Sequence, residues 1–561
     1  MKKAPEKLKF GLFILLWLGS CKIKNEEISR ENIKALDLKR GELVLCGPAD
    51  KQLGSVDFEF SGSKKIKSDF NLGVALLHSF EYDEAEKVFA KIIDKEPDCA
   101  MAYWGVAMCN YHLLWSSPDL PGLKKGSRAI EIARSLDKGS ERESGYINAI
   151  GMFYKDWEKV DDRTRRINFE KAMETLYGKY PRDKEAAIFY ALALDAAADP
   201  ADKSYARQKK AGAILNAIYP YEPNHPGIVH YIIHSYDYPG LARLALPAAR
   251  KYASIAPASA HAQHMPSHIF TRLGLWDESI KSNLVSTSAA KCYAENAGIK
   301  GHWDEELHGM DYLVYAYLQK GDDSLAKEQC DYLKTISAVY PANFKVAYAF
   351  AAIPARYFLE KKMWKEAADL EARPAAFPWE KFPWQKANIH FARLLGSVHT
   401  GRMDSARAEQ KTLQILHDTL AREKDFYKAN LVEIQIRASD AWILFKEGKK
   451  NKALELMNSA AQMEDATEKS PVTPGELIPA RELLGDMLME MGHAANALEA
   501  YQDDLRTHPG RFNGLYGAGL AAEKSGDTGK AEDYYKQLAA IGSARSNRPE
   551  LAAARVYLSR L

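Results

Sequence analysis

Cysteine is scarce: six in 561 residues, at Cys21, Cys46, Cys99, Cys109, Cys292 and Cys330. That density excludes a small scaffold built on disulfides. An excess of charge of one sign is missing too. Lys and Arg total 77 against 75 Asp and Glu, a formal net charge of +2, so no global field calls for a nucleic-acid partner. No hydrophobic run approaches the roughly 20 residues that span a bilayer. There is no P-loop, no Rossmann glycine fingerprint, no C-x-x-C, no H-E-x-x-H, and no G-x-S-x-G around Ser235 or Ser267. What is present is an ordinary globular composition, 46% hydrophobic and 27% charged. It allows a large core and excludes a wholly disordered or collagenous chain.

The first 21 residues carry an export pattern. Lys2, Lys3, Lys7 and Lys9 precede the apolar run Phe10 to Leu18, too short to cross a membrane and suited to a signal-peptide core. The following Leu18-Gly19-Ser20-Cys21 is similar to a bacterial lipobox, which implies removal of residues 1–20 and acylation of Cys21. Several acyl chains would make a stable anchor in a lipid bilayer, since each buried methylene contributes about 0.8 kcal/mol. No Asp follows Cys21, which points to the outer membrane of a bacterial envelope, on either its periplasmic or its surface side. Residues 21–68 read as a tether and lead segment, in which Leu43 to Pro48 and Val56 to Phe60 predict short strands or an extended arm.

Beyond that segment the sequence is periodic. Gly485 to Gly519, Ala497 to Ala531 and Tyr501 to Tyr535 are each 34 residues apart, the period of the tetratricopeptide repeat (TPR), a helix pair that stacks on its neighbours. A small residue on the first helix meets a small residue on the second. An aromatic four positions later fills the seam with the next repeat. Gly73, Ala85, Phe89 and Pro97 fit the same frame. Weaker copies run through His230 and Ala242, Ser267 and Ser279 with Asn283 in the seam, Val314 and Ala326, Gly396 and Ala408, and Ala441 and Ala453. The expected fold is therefore an all-α TPR helical solenoid with divergent, histidine-rich middle repeats. Residues 69–370 form the divergent region, 371–386 a Pro/Trp-rich connector, and 387–561 a C-terminal array. An insertion from Asp465 to Gly475 interrupts that array.

Ten of the 15 histidines lie between His78 and His308. His230 and His234 are four residues apart, as are His264 and His268, so each pair shares a helical face. In the repeat frame, His264, His268, His234, His308, Asp311 and His78 fall on groove-facing positions of their first helices. Imidazoles converging from neighbouring helices suit a transition metal such as Zn, Cu, Fe or Mn. The candidate ligands are His230, His234, His264, His268 and His308. His78, Asp237, Arg272, Glu305 and Asp311 are possible additions to the pocket. Asp237, beside His234, suits a carboxylate that fixes an imidazole tautomer. A metal-free pocket for an organic ligand and a hydrogen-bonded polar core remain as alternatives.

The blocks HPGIVHYIIHSYDYP and HAQHMPSHIF, with FNLGVALLHSFEYDEAEKVF, IPARELLGDMLMEMG and RFNGLYGAGLAAEKSGD, make the chain from about Phe70 to Tyr535 resemble the family of human tetratricopeptide repeat protein 38. The resemblance implies an all-helical repeat fold and no defined reaction. Arg511, Asn513 and Tyr516 lie in the resembling C-terminal motif. Asn513 and Tyr516 take groove positions there, suited to binding a peptide or closing the pocket. Three function classes follow: an envelope lipoprotein whose histidine-lined pocket binds a metal or small ligand, a metal-dependent hydrolase or oxidoreductase using that pocket, and a scaffold for a peptide or protein.

Overall fold

The computed structural model describes residue 1 and residues 30–47, 52–112, 114, 118–137 and 139–561. The signal-like run and Cys21 lie outside them. No helix among the described residues is long and apolar enough to cross a membrane.

The chain is a succession of helices from Arg30–Lys34 to Pro549–Leu558, most packed against the next in sequence. The only strands among the described residues are the two-residue pair His302–Trp303 and Val339–Tyr340, which run parallel. Helix pairing follows the repeat chemistry. A Cβ built on Gly485 would lie 2.6 Å from the Tyr501 ring, and one on Gly517 would lie 2.5 Å from the same ring. Tyr501 thus wedges between the first helices of two successive repeats. Phe89 does the same between Gly73 and Gly105, where an added Cβ would come within 2.8 and 2.4 Å of it. Without side chains at these glycines the helices approach closely, and the aromatic ring fills the seam. Truncating the fully buried Phe89 to Ala is expected to cost about 3–5 kcal/mol, seen as a lower denaturant midpoint; a change under about 1 kcal/mol would contradict the wedge.

The lead segment forms no strand between Leu43 and Gly47 or between Val56 and Phe60. It is an extended arm laid on the helices. Phe58 is fully buried against Phe70, Trp104 and Tyr146, and Cys46 is joined by a disulfide to Cys292 on the helix Trp276–Asn296. Six cysteines are too few to build a scaffold, yet one pair pins this arm across 246 residues of sequence.

The apolar interior is divided. One large cluster runs from Leu36 to Phe270 and a second from Leu307 to Ala554. The segment 371–386 contributes Trp379 and Trp384 to the second cluster, and a helix already begins at Pro383. The Pro/Trp-rich connector therefore sits inside one continuous core. The change from one large cluster to the other falls instead between Phe270 and Leu307, a stretch that contributes buried apolar residues to two small clusters.

Candidate metal centre

Four helical segments carry the histidines. Pro226 opens the helix Pro226–Tyr236, where its missing N–H costs nothing, and that helix presents His230 and His234. Ser259 caps the helix Ala260–His264 by accepting from Ala262 N at 3.0 Å. Pro266 then restarts the chain as Pro266–Arg272, so His261, His264 and His268 straddle a proline junction. His308 comes from the helix Asp304–Gln319.

These side chains meet in two adjoining triads. His230, His234 and His261 each offer a ring nitrogen within 4.8 Å of the others, and so do His264, His268 and His308. The rings of His261 and His264 lie 6.5 Å apart and join the triads. His230 Nε2 is 3.1 Å from both His234 Nε2 and His261 Nε2, and His264 Nε2 is 3.1 Å from His268 Nε2.

The outer nitrogens decide what those short contacts mean. His230 Nδ1 donates to the carbonyl oxygen of His78 at 2.6 Å. His264 Nδ1 donates to Asn283 Oδ1 at 2.6 Å, and the amide orientation is set because Asn283 Nδ2 donates to Ser279 O at 2.8 Å. His268 Nδ1 donates to Asp237 Oδ2 at 3.0 Å. A neutral imidazole with its proton on Nδ1 carries a lone pair on Nε2. The Nε2 atoms of His264 and His268 thus face each other with lone pairs, and a cation between them removes the repulsion. A proton could serve only poorly: burial, reinforced by neighbouring imidazoles, holds the imidazolium forms of His230, His234, His264 and His308 well below the ordinary histidine range. Neutral imidazoles with inward lone pairs and outer N–H groups bound to oxygen are what metal-ligating histidines present.

The cluster is interior rather than spread over an open concave groove, as the repeat frame suggested. His230, His261, His264, His268 and His308 are all buried, and His234 alone is partly exposed. It faces a cavity of about 480 Å³ that Asp237, Arg272 and Lys469 also line. Asp237 accepts from His268, not from His234 as its sequence position suggested. Burial alone would raise its carboxyl, but Lys469, Arg272 and His268 together hold it well below the usual carboxylate range. Arg272 donates from Nε to Asp237 Oδ1 at 2.9 Å and from Nη2 to its carbonyl at 2.8 Å.

Other expected pocket residues lie elsewhere. Asp311 turns away from the imidazoles to pair with the buried Arg356. Glu305 pairs with Lys345, its other oxygen 3.9 Å from His261 Nδ1. His78 belongs to a third group: its Nε2 donates to Glu185 Oε2 at 3.0 Å, and His225 Nε2 donates to Glu185 Oε1 at 2.9 Å. There the carboxylate already takes both N–H groups, and the two imidazoles hold its pKa low despite burial. The C-terminal groove residues are also engaged internally. Arg511 is fully buried against Glu360 and Glu482, and Asn513 donates to Glu360. Tyr516 packs 6.3 Å from Tyr535, centroid to centroid.

Sequence reasoning missed His261 as a ligand, although its i,i+3 spacing to His264 was visible. It also missed Asn283, assigned only to a repeat seam, and Lys469, which arrives from the 465–475 insertion and has no local signal.

The tetratricopeptide-repeat family model matches residues 70–114 and 483–557, the two ends where the period is cleanest. The protein is an all-α TPR solenoid. No curated protein matches the chain significantly. Solved structures similar to it include the Cut9–Hcn1 hetero-tetramer of the APC/C, 12% identical over 89% of this chain and 96% of that one with a TM-score of 0.27. The human IFIT1 dimer with m7Gppp-AAAA is 11% identical over 83% of this chain and 94% of that one, with a TM-score of 0.33. At such scores neither likeness carries an argument about this TPR protein.

Proposed function

We propose that this TPR protein holds transition-metal ions in its interior, one at His230, His234 and His261 and one at His264, His268 and His308. The observation that carries the reading is the pair of Nδ1–H groups on His264 and His268, bound to Asn283 and Asp237, which leaves two lone pairs 3.1 Å apart. An all-nitrogen set favours copper or zinc over manganese or iron, by the general order of affinities. Three imidazoles per ion leave a coordination position open, and a bound metal there would act as a Lewis acid or water activator. The chain's own part is to hold six neutral imidazoles, to keep bulk water away from all but the His234 edge, and to hold Asp237 ionised behind His268. Metal analysis of the purified protein tests this. Two zinc or copper ions per chain are expected; protein that carries none and takes up neither on titration would defeat the reading.

We also propose that the protein is exported and anchored by lipid on Cys21. The apolar run and Leu18-Gly19-Ser20-Cys21 support it. So does the Cys46–Cys292 disulfide, since such bonds persist in oxidising compartments. Intact-mass measurement of the envelope-extracted protein is expected to show loss of residues 1–20 and addition of acyl chains, both abolished by Cys21→Ala. An unmodified N-terminus would overturn this.

A further inference from the structure

The cavity at His234 contains a charge arrangement that the histidine cluster does not require. Lys469 lines it, and its side chain is only 6% exposed. Its ammonium donates to Ser470 O at 3.3 Å and pairs with Asp237 Oδ2 at 3.5 Å. Burial, with Arg272 beside it, lowers its pKa to about 8, so it remains mostly charged at neutral pH. Arg272 uses Nε and Nη2 on Asp237 and makes no described hydrogen bond with Nη1. Two cations therefore share one carboxylate, and that carboxylate also accepts from His268.

Most other charges on the walls are paired, while Asp202 accepts the backbone N–H of Ser204 at 2.9 Å. Glu468 takes Lys203 and the Tyr205 hydroxyl, Asp199 takes Arg163, and Lys428 takes Asp425. Asp195 accepts from Ser235 at 2.7 Å, and burial raises its carboxyl above the ordinary range. The inner end of the cavity thus sets two buried cations, Lys469 and Arg272, against the carboxylate of Asp237. The rest of the wall is aromatic: Tyr205, Tyr238, Phe344, Trp384 and Tyr427. The hydroxyls of Tyr205 and Tyr427 donate to the Glu468 carboxylate and carbonyl, and that of Tyr238 accepts from Gln208. A volume of about 480 Å³ lies within the range of small-molecule sites.

We infer that this cavity binds a small aromatic monocarboxylate, its carboxylate on Lys469 and Arg272 and its ring between the aromatic walls, next to His234. The charge-assisted hydrogen bonds from a buried ammonium and guanidinium give the affinity and select a carboxylate over an uncharged group. The inference deepens the metal reading by naming what would approach the open edge of the cluster, and it rests on that reading only for this purpose. The binding residues are not metal ligands.

Calorimetric titration of the folded protein with benzoate tests the inference, on chelator-treated and on zinc-loaded samples. One benzoate per chain is expected in both. Lys469→Met is expected to weaken binding at least tenfold, and Lys469→Arg to retain it within about threefold, since the charge is kept. Benzamide, of the same shape and uncharged, is expected to bind the unaltered protein at least tenfold more weakly. The benzamide comparison stands even if Lys469→Met fails to fold. Equal binding of benzamide and benzoate, or no benzoate binding in either sample, would overturn the inference. A protein that binds benzoate but takes up neither zinc nor copper would defeat the metal reading and leave this one intact.

Discussion

His308→Ala is expected to leave the protein with one bound metal ion of two, and His230→Ala likewise, while the double variant retains none. Each triad has three donors within 4.8 Å, so losing one leaves two imidazoles and a vacant position, too few to hold an ion against chelation or dialysis. The triads share the helix Ala260–His264, but the two substituted residues lie on different helices, His308 on Asp304–Gln319 and His230 on Pro226–Tyr236. Each loss is therefore local. Asn283→Ala touches no ion. It removes the oxygen that holds His264 Nδ1–H, so a fall of about 10- to 100-fold in affinity at that triad is expected, with the other unchanged. Glu185→Gln is the contrast. Its carboxylate already satisfies His78 and His225, so the variant loses stability without losing metal. Elemental analysis after dialysis against a weak chelator reads all five variants. A stoichiometry indifferent to His230 and His308 would leave the imidazoles as a polar core.

Arg511→Met is expected to destabilise the solenoid by about 3–5 kcal/mol, because removing one member of a buried ion cluster strands its partners. Arg511 is fully buried. Its Nε donates to Glu482 Oε2 at 2.9 Å, its Nη2 to Glu360 Oε1 at 2.8 Å, and its Nη1 to the Tyr315 hydroxyl at 3.1 Å. These partners lie on three helices, Asp304–Gln319, Phe344–Glu360 and Ala480–Met491. One guanidinium therefore fastens the C-terminal repeats to the middle of the solenoid. Even with Arg511 present, burial raises the Glu482 carboxyl to about 7. Without it, Glu482 and Glu360 face each other in a dry interior. Adding Glu482→Gln to Arg511→Met is expected to restore part of the loss, since the stranded charge is removed. Denaturant unfolding measures both variants; a single-variant loss below about 1 kcal/mol, the value of an exposed ion pair, would contradict the account.

Arg511 also shows how far position in a repeat can be taken. Its motif is legible in the sequence, but the frame could not say whether neighbouring groove positions stay open. At Asn513 the position is occupied: Glu360, about 150 residues earlier in the chain, accepts from its side chain as it does from Arg511. The histidines follow the same logic. Spacing of four residues put His230 with His234 and His264 with His268, because helical periodicity is local. Asp237 was read beside His234 from adjacency along the chain, yet a turn after Tyr236 directs it to His268.

The sequence alone determined the repeat and the packing of its seams. The 34-residue period, the small residues and the aromatic wedges at Phe89, Tyr501 and Tyr535 act between elements close along the chain. It also determined which residue types crowd the middle repeats. Only the tertiary structure decided that six imidazoles form two adjoining triads, that His261 completes one of them, that Asn283 and Asp237 fix the tautomers, and that Lys469 reaches the same cavity from an insertion some 200 residues further on. The physical reason is that curvature and closure of a solenoid sum many small rotations between neighbouring repeats. No single stretch of sequence records that sum, yet it sets which distant side chains meet in the interior.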